Sequence, residues 1–75
     1  MEEKIINQLE AGDMAYDVDK DEYIYLKKYN EKSFELYTYK YGKFIPTHPR
    51  FIDRGSPYYN KLKLIRKNAV PQFRW

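Results

Sequence analysis

The chain is 75 residues long, with no cysteine and a single histidine, His48; it is expected to form one domain over 1–75, without disulfides and without a usual zinc site. The net charge of +3 hides a division, because residues 1–22 carry eight acids against two lysines (−6) and residues 23–75 carry three acids against twelve bases (+9). No stretch approaches the ~18 apolar residues of a membrane-spanning helix, and the acidic start Met1-Glu2-Glu3-Lys4 lacks a secretory leader's apolar run, so a cytoplasmic protein that does not engage a membrane is expected.

In chain order, residues 2–10 read as a short helix. Ile5, Ile6 and Leu9 share one face, Glu2 and Glu3 suit its positive N-terminal end, and Gly12 is placed to cap it. Met14, Tyr16 and Val18 then alternate with Ala15, Asp17 and Asp19, the period of a strand with one wet face. The aspartates read as a solvated strand edge leading into the polar turn Asp19-Lys20-Asp21-Glu22. An EF-hand reading fails because its glycine and closing glutamate are missing.

Residues 23–29 and 34–41 are rich in β-formers, and Asn30-Glu31-Lys32-Ser33 joins them as a hairpin. Pairing Asn30 with Phe34 gathers Ile24, Leu26, Phe34 and Leu36 on a core face. Tyr23, Tyr25, Tyr37, Tyr39 and Tyr41, with Lys27, then pave the other. Gly42 breaks the second strand and Lys43-Phe44-Ile45 begins a third. Pro46-Thr47-His48-Pro49 fits neither a helix nor a central strand and reads as a loop.

Ser56 followed by Pro57 is a helix-start signal, and Tyr58, Leu62, Ile65 and Ala69 follow at helical spacing. The alternation Lys61-Leu62-Lys63-Leu64 offers a strand instead; the helix, ended by Pro71, is preferred. Phe73 and Trp75 form an aromatic tail that either packs back or meets a partner. The fold expected is α+β: a three- to four-stranded antiparallel sheet with an N-terminal and a C-terminal helix. That element order is shared with double-stranded-RNA-binding domains, but their Gly-Pro-His loop and second-helix lysine cluster do not occur here, and no family is assigned.

No phosphate-cradling glycine loop or nucleophile elbow occurs. His48, Arg50, Asp53 and Arg54 contain the elements of a ribonuclease site, yet a lone histidine between prolines is ordinarily a surface residue. The expectation is a non-enzymatic module with no cofactor or metal, binding nucleic acid through a basic, tyrosine-rich surface. Lys27, Lys40, Lys43, Arg50, Arg54, Lys61, Lys63, Arg66 and Lys67 are the candidate phosphate contacts, and Tyr25, Tyr37 and Tyr39 the stacking residues. The acidic segment is expected to compete for those bases. The alternative is a small regulator that binds a host protein, an acidic protein or a second copy of the chain through the same tyrosines and the aromatic tail. The abundance of Lys, Asn, Ile, Tyr and Phe, all with AT-rich codons, fits an AT-rich bacterium or its phage or prophage as the source.

Overall fold

The computed structural model describes residues 9–74, and its regular structure is one five-stranded antiparallel sheet. The strands are β1 (Met14–Asp17), β2 (Glu22–Asn30), β3 (Ser33–Lys40), β4 (Lys43–Asp53) and β5 (Leu62–Arg66), in the spatial order β4-β3-β2-β1-β5. The first four form a meander. The chain then crosses from the β4 edge to the opposite edge, makes a single 3-10 turn at Tyr59–Lys61, and adds β5 beside β1.

No α-helix occurs among the described residues, so the α+β expectation is corrected to all-β. The proposed helix over 2–10 lies almost wholly outside the described residues; Leu9 and Glu10, its last two, are not helical. The proposed C-terminal helix is instead the 3-10 turn followed by β5. Ser56 does not cap a helix: its hydroxyl accepts from the Tyr58 backbone N–H at 3.1 Å, but the 3-10 turn takes Tyr58 as its N-cap and has no side-chain cap. The turn stops after three residues because the next segment has a better use. β1 has one edge open after pairing with β2, and the alternation at 61–64 puts Leu62 against the core opposite Asp17 and Lys63 outward opposite Tyr16. Sheet pairing overrides helical spacing that was only partly apolar.

One face of the sheet carries the core: Ala15, Ile24, Leu26, Phe34, Leu36, Ile52 and Leu62, closed over by Leu9 and Tyr59. Tyr59 stacks on Phe34 with ring centroids 6.0 Å apart, and its hydroxyl donates to the Leu9 carbonyl at 3.2 Å. The β2–β3 hairpin has Lys28, rather than Asn30, opposite Phe34, with a bulge between Lys28 and Asn30. The displacement from the expected register is two residues, and the side-chain period is also two, so the expected faces are kept. β3 and β4 turn through Tyr41-Gly42, both at positive φ (55° and 75°), the backbone of a two-residue hairpin loop. The segment 46–49 is not a free loop. It belongs to β4, an edge strand where proline is tolerated, and the register shift there absorbs the extra residues.

β1 reverses the expected faces. Ala15 and Asp17 point into the core side and are fully buried, whereas Val18 is exposed. Asp17 is held by the Tyr58 hydroxyl and by the Lys20 backbone N–H at 3.2 Å. Asp13, also buried, accepts from Lys67 Nζ at 2.7 Å, Asn68 N–H at 3.0 Å and Glu10 N–H at 2.9 Å. These carboxylates are structural anchors, not a solvated edge: Asp17 fastens the crossover and Asp13 fastens the chain leaving β5.

Candidate functional site

The second face of the sheet is aromatic. Alternation along the paired strands puts Met14 and Tyr16 of β1, Tyr23, Tyr25 and Lys27 of β2, and Glu35, Tyr37 and Tyr39 of β3 on it. β4 adds Phe44, opposite Tyr39. On the β5 side, Lys63 stands opposite Tyr16 and Arg66 opposite Met14. The rings form a connected network: Tyr25 and Tyr39 meet Phe44 edge-on at 5.2 and 4.9 Å, and Tyr16 meets Tyr23 at 5.2 Å. Phe73 packs back onto Tyr37 at 5.3 Å and Phe44 at 5.1 Å, from the short 3-10 turn Pro71–Phe73. Trp75 lies outside the described residues. Tyr23 and Tyr39 keep about half their surface in solvent, at 52% each, while Tyr25 and Tyr37 are half-buried by their neighbours.

The nine candidate bases are divided by the fold. Lys27, Arg50, Lys63 and Arg66 belong to the aromatic face. Lys27 lies 5.9 Å from the Tyr37 ring centroid. Arg50 donates through Nε to the largely buried Glu35 at 2.5 Å, and this bond raises the guanidinium pKa above its ordinary value. Lys63 and Arg66 are exposed and make no ion pair with a described residue. The other five are elsewhere. Lys40 joins Glu22 at 3.2 Å on the core-side face, with Lys43 across the turn from it. Lys61 joins Asp19 at 3.2 Å. Lys67 joins Asp13 and Glu10, and its pKa is raised, chiefly by the hydrogen bond to Asp13. Arg54 sits 4.5 Å over the Phe34 ring on the core side. The acidic segment therefore does lie against the basic part: it engages Lys61 and Lys67 away from the tyrosines, and Lys40 beside Tyr23 and Tyr39.

Of the stacking residues named from sequence, Tyr25, Tyr37 and Tyr39 are together on this face, and Tyr23 completes them as the hairpin faces required. Tyr41 is in the turn, 90% exposed, and is not part of the paved surface. Tyr16 and Phe44 were not identified as part of this face; Phe73 was named from sequence as part of the aromatic tail, and it packs back. Alternation in β1 marked Tyr16 as sharing a side with Met14, but only the β1–β2 pairing shows which side that is.

The face is split at one end. β2 and β3 pair from Asn30–Ser33 up to Tyr25–Tyr37; beyond that, Glu22–Ile24 pair with β1 and Thr38–Lys40 with β4. The gap holds a cavity of about 280 Å³ lined by Tyr23, Tyr25, Thr38 and Tyr39 together with Asp21 and the Glu22–Lys40 pair. Among the described residues no group of three or more His, Cys, Asp or Glu side chains is placed to hold a metal ion, and no helix is long and apolar enough to cross a membrane. His48 and Arg50 are exposed in the bulged part of β4, and Arg50 is tied to Glu35. Compared with family models, curated proteins and solved structures, the chain matches none of them.

Proposed function

We propose that this chain is a non-enzymatic, cytoplasmic module that binds nucleic acid on the aromatic face of its sheet. The observation that supports the reading is the joint placement, on one face, of exposed tyrosine rings and the cations Lys63 and Arg66, which make no ion pair among the described residues, with Lys27 beside Tyr37. Aromatic rings stack on bases at about 1–3 kcal/mol each, and neighbouring cations take phosphates. The phosphate set is smaller than the sequence suggested: Lys27, Arg50, Lys63 and Arg66, of which Arg50 is already engaged with Glu35.

The test is affinity for a labelled oligonucleotide between about 50 and 200 mM salt, because every phosphate contact releases counterions. Log K should fall linearly with log[salt], and the double variant Lys63→Ala, Arg66→Ala should lower that slope by roughly 1.4–1.8. No binding at about 50 mM salt to single strands, duplex or RNA would overturn the proposal. Capture of a protein partner with little salt dependence would assign the same tyrosines to a protein interface instead.

A further inference from the structure

We infer that the ligand of this face is a single strand, and that the gap between β2 and β3 receives one unpaired base between Tyr23 and Tyr39. The inference rests on the nucleic-acid reading above and names its substrate class. Tyr23 stands on β2 and Tyr39 on β3, where the two strands have parted, and both rings are half exposed. The cavity between them, about 280 Å³, is just below the ~300–1,000 Å³ of sites for drug-sized ligands, a size suited to a single ring system.

Its chemistry selects a base over a phosphate. Asp21, Glu22 and Lys40 are part of the lining; Lys40 pairs with Glu22, so Asp21 leaves the gap with one net negative charge, which disfavours a phosphodiester. A neutral base meets no such repulsion, and its exocyclic amino group can donate to a carboxylate, as cytosine N4 does to Asp or Glu in protein–DNA contacts. The backbone is then left outside, toward Lys63 and Arg66. Tyr16 separates Lys63 from Tyr23, so the cation lies two strand spacings away, about 9–10 Å.

A duplex fits this surface poorly. Its bases are stacked on one another, so exposed tyrosines have no base face to meet. The cations of this face without an ion pair among the described residues, Lys63 and Arg66, are gathered at one side of it, whereas a duplex presents two phosphate backbones.

The test compares three ligands of about 12 nucleotides at low salt: a mixed-sequence single strand, its duplex, and a single strand of abasic sites with the same phosphates. The single strand should bind at least ~10-fold more tightly than the other two, and Tyr39→Ala should weaken it ~5-fold or more, while Tyr39→Phe, which keeps the ring, restores it. Duplex or abasic binding as tight as that of the intact single strand overturns this inference and leaves the nucleic-acid reading standing. If Tyr39→Ala and Tyr23→Ala fold and bind the single strand like wild type, the base is not in the gap. Failure of all three ligands to bind removes the reading beneath it as well.

Discussion

Asp17 shows what a single side chain decides in this fold. Its carboxylate is fully buried and accepts from the Tyr58 hydroxyl and the Lys20 backbone N–H. An asparagine has one acceptor oxygen in place of two, and its amide must donate where donors already converge. Asp17→Asn is therefore expected to cost about 1–3 kcal/mol, read from urea denaturation midpoints, rather than acting as a neutral change of surface charge. The partner phenol makes the second prediction. Burial, followed by the hydrogen bond to Asp17, pushes the Tyr58 pKa well above the ordinary 10.0, and burial raises that of Tyr59. A phenol with a raised folded pKa binds its proton more tightly when folded, so its contribution to stability is complete below the ordinary value and is lost as pH rises toward the folded one. Urea midpoints should hold steady to about pH 9 and fall above about pH 10, and Tyr58→Phe should fall less steeply because the titrating hydroxyl is gone. An equal decline in both proteins would place the alkaline sensitivity elsewhere.

Among the elements, the hairpin β2–β3 serves both faces. Leu36 is fully buried on the core side, and Leu36→Ala should cost about 2–5 kcal/mol. Phe73, half-buried on the aromatic side, covers Tyr37 and Phe44 from a three-residue turn. Phe73→Ala should cost about 1 kcal/mol, since half of a ring's burial is at stake. Denaturant midpoints of the two variants measure the contrast, and a Phe73 cost as large as that of Leu36 would make the aromatic face a second core. Tyr25 is a poor probe of recognition for the same reason, because its ring is packed on Phe44. Tyr39, with half its surface free, separates binding from folding.

Across the whole molecule, the parts of the fold readable from sequence are those fixed by short-range pattern. The faces of β2 and β3 were legible because Ile24, Leu26, Phe34 and Leu36 alternate with tyrosines, and the two-residue slip in register does not exchange faces. The break at Gly42 was legible for an equally local reason, whereas Tyr41, read as strand, belongs to the turn, and Ser56, read as a helix cap, opens only a turn. β5 was not legible, because residues 62–66 can satisfy either period, and the decision rests with β1, more than forty residues away in the chain. The faces of β1 were reversed for a related reason. An aspartate reads as wet until a phenol from residue 58 arrives to hold it. The candidate site was half legible. Its tyrosines are local to one hairpin, but its cations are sorted by long-range pairing, which gives Lys63 and Arg66 to the aromatic face and Lys40, Lys61 and Lys67 to acids of the first 22 residues.

The outer edge of β5 carries a further consequence. Among the described residues this strand ends the sheet, and Leu64 and Ile65 on it are 38% and 48% exposed. An uncovered strand edge is a template for another strand. Two copies meeting there in antiparallel fashion would bring Lys63 and Arg66 of each against those of the other, and like charges at that distance keep them apart. That barrier is purely ionic, and at about 1 M salt its range shrinks to roughly 3 Å. On the nucleic-acid reading proposed above, high ionic strength would do two things at once: release a polyanion from these cations and remove what keeps the edges of neighbouring molecules from joining. A bound single strand would act in the opposite sense to a crowded, salty solution, occupying the charges on one side while its own phosphates hold other copies at a distance.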